Sequence, residues 1–324
     1  MFKQRTLAIA VIAGLAAGLM ALAGLRPSPI AMALLIAAPA AIYIASLGWG
    51  NLAGVVAAAI AASAALAWHG VPGFVITGGL LFFPAALAGH LANLGQPDTA
   101  GKAMIWFPLS GILLALMAAI GIAFVVAGFA LDYQPAAITI AFKALFKELI
   151  ASNASLEAPP EAMLEQSAAA YAKMLPAVIP GVWLLVHVLV MHFSAMITAR
   201  SGLLARPAED IAANTRLPAA ALVIPLAGLG GMAILASPFA EICAVAAGIG
   251  IAGFALTGIA ELHLKTRGWP GRWATLFFAY FLLIVFGLPA IIFAFIGAAR
   301  SLRNPVQNRP PSAPADRGNN ASKN

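Results

Sequence analysis

Between Arg26 and Asp98 the chain contains no Asp, Glu, Lys or Arg. A soluble domain carries about one charged residue in four, so a gap of this length leaves few options. Further charge-free stretches run from Lys102 to Asp132, Lys173 to Arg200, Arg216 to Glu241, Glu241 to Glu261 and Arg272 to Arg300. A hydrocarbon core about 30 Å thick demands roughly 20 apolar residues of a spanning helix, and these stretches supply that length. A spanning β-barrel needs segments of about ten residues that alternate in polarity. The runs here are rich in Ala, Leu, Ile and Gly and do not alternate. The expectation is an all-α fold, a polytopic transmembrane helix bundle.

Nine hydrophobic segments can be counted, at 7–25, 29–47, 51–69, 72–92, 103–130, 174–199, 218–236, 239–260 and 273–299. Tight links, GWGN (48–51) and HGVPG (69–73), join the early ones. Trp49, Trp68, Trp106, Trp183, Trp269 and Trp273 mostly fall near segment ends, as an aromatic belt requires. Basic residues of short loops set orientation. Lys3 and Arg5 place the N-terminus in the cytoplasm, and strict alternation brings Lys102, the Arg200, Arg206 and Arg216 loop and the Lys265, Arg267 and Arg272 loop inside too. Arg300, Arg303 and Arg309 then land outside, against the rule. Eight spans and nine spans both stay open.

Residues 1–303 read as one bundle domain, interrupted by a long extracytoplasmic connection at 131–173. There Ile138, Phe142, Leu145, Phe146 and Leu149 share a helical face, with Lys143, Lys147 and Glu148 off it. The pattern predicts an amphipathic helix lying on the bilayer. A second helix starts near Pro159-Pro160-Glu161 and runs toward Pro176, proline being tolerated in a first turn. The segment 304–324, rich in Pro and Asn and without an apolar pattern, reads as a disordered tail.

The apolar run from Leu7 to Leu25 exceeds a usual signal-peptide core, so the first segment is expected to stay as a span. The single cysteine, Cys243, excludes an internal disulfide and a cysteine-based metal site. The formal charge of +7 comes from cations at segment ends, which points to anionic lipid rather than nucleic acid.

Few polar residues enter the apolar runs. In VWLLVHVLVMHF (182–193), His187 lies near mid-segment, where an ionisable group is expensive and a site candidate. His187 and His192, five apart, are separated by roughly 140° around a helix and cannot share one metal. His187 and Ser194 share a face but lie about 10 Å apart along the axis, so they can line one cavity and cannot form a nucleophile–base pair. Neutral histidine also bonds well between helices. Glu241, just after Ser237-Pro238, suits a helix N-terminus, where free backbone N–H groups satisfy a carboxylate. His187, His192, Ser194 and Glu241 are the candidate pocket-lining residues. GIGIAG (248–253) has the spacing of the dinucleotide fingerprint but sits inside an apolar run, which makes it a helix-packing motif. His69, His90 and His263, at segment ends, read as interfacial. No catalytic, cofactor-binding or metal-binding residue is expected.

In the second half, LPAVIPGVWLLVHVLVMHFSAMITARSGLLAR (175–206), GIAELHLKTRGWPGRW (258–273) and FGLPAIIFAFIGAARSLR (286–303) resemble the YybS-like family of bacterial membrane proteins of unknown function. Pro289 and Ala290 depart from the acidic residue expected in the last of these. The family is distantly similar to substrate-binding components of energy-coupling-factor vitamin transporters, which dock a coupling subunit through small residues of the first span. The resemblance implies such a role for Ala13, Gly14, Ala17, Gly18 and Ala21. The expected function is therefore a non-enzymatic bacterial inner-membrane protein that binds or transports a small molecule, with the lipid bilayer and a membrane coupling subunit as partners. The alternative is a structural or assembly factor that acts through helix–helix contacts and holds no ligand.

Overall fold

A computed structural model describes residues 4–24, 28–98, 101, 103–152 and 159–303. Lys3, Lys102 and the tail from 304 lie outside these described residues, and with them the expectations placed there. The described residues are all-α apart from a two-stranded antiparallel ribbon, β1 (Gly95–Pro97) with β2 (Met104–Trp106). The first half comprises α1 (Gln4–Gly24), α2 (Pro29–Trp49), α3 (Asn51–Gly73), a π-helical segment (Phe74–Phe82), α4 (Phe83–Ala92) and α5 (Leu109–Ala130). The second comprises α6 (Pro135–Ser152), α7 (Glu161–Arg200), α8 (Ile211–Asn214), a 3-10 turn (Ala219–Leu222), α9 (Val223–Ile234), α10 (Phe239–Lys265), α11 (Arg272–Phe286) and α12 (Pro289–Arg303). Among the described residues, six continuous helical stretches are long and apolar enough to cross a membrane: α1, α2, Asn51–Ala92, α5, α7 and α10.

Local chemistry sets the turns. Ser28 caps α2, its Oγ accepting from the Ala31 amide at 3.1 Å, with Pro29 in the first turn. Gly50, at φ 94°, ends α2 in a conformation that side chains disfavour. The 42-residue stretch Asn51–Ala92 is not one rod, because Gly70 (φ 64°, ψ −158°) folds it back on itself. Gly78 then lies against Ala62, and Gly73 against Ala65. The HGVPG link is thus a hairpin turn, as its composition indicates.

Packing registers fix the relative directions. α1 runs parallel to α3, Gly14 meeting Ala57 and Gly18 meeting Ala61 and Ala64. α2 runs parallel to α7, Tyr43 meeting His187 and Gly48 meeting Thr198. α7 and α10 are parallel and α5 is antiparallel to α10, with Ala177 against Gly248, Ala252 against Gly181, and Met117 against Gly253. Arg5, Arg200, Arg206, Arg216 and Arg267 therefore sit toward one end of the bundle, called here the basic end.

Two expectations change. α6 is not an isolated helix; it pairs antiparallel with the first part of α7. Lys143 bonds Glu165 and Glu161, Lys147 bonds Glu161, and the Phe142 ring lies 4.6 Å from that of Tyr171. The expected apolar stripe divides accordingly: Ile138, Phe142 and Phe146 turn toward α7, while Leu145 and Leu149 stay exposed. The helix begun at Glu161 also does not stop at Pro176. It continues to Arg200 as one 40-residue element, about 60 Å long.

The second change concerns 273–299. Gly287 (φ 66°) breaks it into α11 and α12, each 15 residues long and about 22 Å in length. α11 is mostly exposed, tied to α10 by a 2.8 Å bond between His263 Nε2 and the Tyr280 hydroxyl. α12 packs on α10, with Gly258 against the Phe293 carbonyl and Gly297 against the Phe254 carbonyl. A Cβ at either glycine would come within 1.9 Å of the facing oxygen, so only glycine permits this approach.

Candidate functional site

His187 is fully buried where α2, the π-helical segment and α7 meet. Its Nε2 lies 2.7 Å from the Leu80 carbonyl oxygen and its Nδ1 3.0 Å from the Tyr43 hydroxyl. A carbonyl can only accept, so Nε2 carries the proton. Nδ1 is then the acceptor, and Tyr43 donates to it. The Leu80 carbonyl is available because the residue four positions on is Pro84, which has no N–H to return to it. A neutral imidazole with both nitrogens engaged joins three elements, and no lone pair is left for a metal or a ligand.

The other expected residues do not converge on it. His192 is exposed on the opposite side of α7, its ring 5.8 Å from that of Phe193. Ser194 is fully buried on the His187 face, with Leu184 and Thr198, and its hydroxyl finds no hydrogen-bond partner among the described residues. Glu241 stands in the first turn of α10, but its Oε2 is buried and accepts no hydrogen bond among the described residues. The expected satisfaction by backbone amides is therefore incomplete. The carboxylate lies near Tyr133, whose hydroxyl donates to the Ala172 carbonyl at 2.5 Å. Burial first, and the Glu241 charge second, push that hydroxyl above its ordinary pKa. Ala172 repeats the Leu80 pattern: Pro176 stands four residues on.

The small residues of the first span face inward. Gly14, Ala17, Gly18 and Ala21 are buried and Ala13 is half-buried, because α2 and α3 take up this surface. A Cβ at Gly14 would lie 2.6 Å from the Ala57 carbonyl oxygen. Small residues allow close approach without naming the partner, and here the partner is the same chain. α1 turns Leu7, Val11, Ile12, Leu15 and Leu19 outward instead.

No protein-family model, curated protein or solved structure matches this chain. The glycines of GIGIAG each meet a different element: Gly248 the Ala177 backbone, Gly250 Pro225, and Gly253 Met117 and Leu217. That is helix packing on three sides.

Arg300 is the functional-looking residue that sequence patterning misses. It is 2% exposed. Its Nε lies 3.3 Å from Glu261 Oε2, and its other nitrogens donate to the carbonyls of Thr257, Ala212 and Ala213 at 3.4, 2.9 and 3.1 Å. Around it Arg267 grips Asp210 through two 2.6 Å bonds, and Asp210 also caps α8 by accepting from the Ala213 amide. Arg206 ties the same loop to the Phe107 carbonyl and to Glu209. At a segment end an arginine looks like a topology signal. The available clue was that Phe293, Gly297 and Arg300 fall on one helical face.

Proposed function

We propose that this chain is a multi-pass protein of the bacterial inner membrane that works as a structural or assembly factor through helix–helix contacts. The observation that carries the reading is the saturation of His187, the polar group best placed to line a cavity. The buried Arg300 and the inward first-span residues support it, since each joins helices of this chain. The YybS-like resemblance fits this reading at the level of a helical membrane protein. A coupling subunit docking on α1 would have to use its outward leucine-rich face.

The orientation we favour puts the basic end in the cytoplasm, in keeping with the distribution of arginine and lysine. Eight crossings accommodate the directions above: α1, α2, the two arms of 51–92, α5, α7, α9 and α10. α11 and α12 then form a partial-depth hairpin from the basic end. A second reading, a small-molecule binding or transport component, draws on Glu241, whose Oε2 lacks a partner.

Native mass spectrometry of the gently extracted protein tests the choice. A co-purifying membrane protein with no retained metabolite is the expected result. A polar metabolite held at fixed stoichiometry would overturn the structural reading in favour of the binding component.

A further inference from the structure

Between α5, α9 and α10 lies a groove of about 310 Å³. Leu114, Gly121, Val126, Ile224, Ile242 and Ile249 are among its walls. Ile122 and Val126 on its rim are 64% and 52% exposed, so the groove opens on the side that faces lipid in a membrane. From Leu114 to Val126 it follows twelve residues of α5, about 18 Å. One leaflet of hydrocarbon is about 15 Å deep, half of the full core. The groove therefore has the length and chemistry of a single acyl chain.

Its lining is apolar throughout, and polar groups stand only beyond its end away from the basic end. Glu241 immediately precedes the lining residue Ile242, and Tyr133 follows the end of α5. Glu241 Oε2 is buried without a hydrogen-bond partner among the described residues, and Tyr133 spends its proton on Ala172. A buried carboxylate oxygen without a donor calls for a cation. We infer that the groove holds one acyl chain of a bilayer phospholipid whose ammonium head group sits at Glu241. An amine-headed lipid supplies both halves of that complement, an apolar chain and a cation.

The test uses the full chain in nanodiscs of equal ethanolamine-headed and glycerol-headed phospholipid, read by native mass spectrometry. The expected result is one ethanolamine lipid retained per chain. Gly121→Leu fills the groove and should cut retention about tenfold. A Cβ there meets Ile249 and Val245 at 3.8 and 3.9 Å, ordinary contact, so the variant should fold. Should its melting temperature fall, Ile122→Trp at the exposed rim takes its place. Glu241→Gln should keep the lipid but erase the head-group preference. Retention unchanged by the filling variants overturns the groove. A preference unchanged in Glu241→Gln overturns the head-group assignment, and a second protein chain seated there instead overturns the lipid.

Discussion

Pro84 and His187 complete one hydrogen bond between them from different helices. The proline withholds the amide that Leu80 would otherwise receive, and the histidine supplies a donor in its place. Ala172, four residues before Pro176, is met by Tyr133 in the same way. In hydrocarbon an unpaired carbonyl has no water to turn to, so each proline creates a demand that a side chain from another segment answers.

His187→Ala leaves both the Leu80 carbonyl and the Tyr43 hydroxyl unpaired and should destabilise the fold by about 2–4 kcal/mol. Thermal unfolding in detergent measures it. In a Pro84→Ala background the backbone can serve Leu80 itself, so the same substitution should cost about 1 kcal/mol less. Equal losses in the two backgrounds would show that the proline does not create the need.

Arg300→Met strips the buried counter-charge from Glu261, leaving only Lys265, and the donors from three carbonyls. A loss of about 3–5 kcal/mol is expected, the cost of breaking a buried pair. Arg300→Lys should not rescue it, because an ammonium lacks the planar fork that reaches Glu261 and the α8 carbonyls together. Full stability in the lysine variant would reduce the role to charge alone.

Asp210 has its carboxyl pKa lowered to about 2, first by hydrogen bonds from Arg267 and then by the Ala213 amide. A depressed carboxyl stabilises the fold above its unfolded value near 3.9 and loses that contribution as pH falls through about 2. Hydrogen exchange at the Ala213 amide should therefore stay protected, after correction for intrinsic rate, from pH 8 to 5 and lose protection toward pH 2. Asp210→Asn should remove the pH dependence; a profile that keeps it would assign the effect to another group.

Gly14→Ile drives a side chain into the Ala57 carbonyl and should lower the stability of the isolated chain by more than about 2 kcal/mol. Leu19→Ala, on the outward face, should change it by less than about 0.5 kcal/mol. If instead Gly14→Ile left the isolated chain intact and only released a bound partner, the first span would be a docking surface after all.

The membrane-spanning character was legible because hydrocarbon thickness imposes a length on every uncharged run. The hairpin at Gly70 was legible too, since HGVPG puts a glycine where the chain must reverse. The continuity of α7 was not. Pro176 read as a boundary, yet a helix can pass a proline when the freed carbonyl finds a donor, and for Ala172 that donor is Tyr133, 39 residues away. The division of 273–299 turned on Gly287, one glycine among 30 in the chain, whose φ no pattern discloses. His187 stood out as a polar residue in an apolar run, but its partners come from segments 107 and 144 residues distant. Arg300 was hidden by its place at a segment end, where arginine is ordinary.

The bond between Arg300 and Glu261 also sets an order of events. Glu261 leaves the ribosome 39 residues before Arg300, and until then its carboxylate has only Lys265 of the same helix, 3.5 Å away, as counter-charge. The neighbours of α10, namely α5, α7 and α9, are already made by then. α12, made after all of these, thus closes the basic end of the bundle, so a chain truncated before α12 would keep its early helices and leave Glu261 with Lys265 alone. A quality-control protease that reads exposed charge at the membrane surface would find Glu261 open to it only in a molecule that lacks α12.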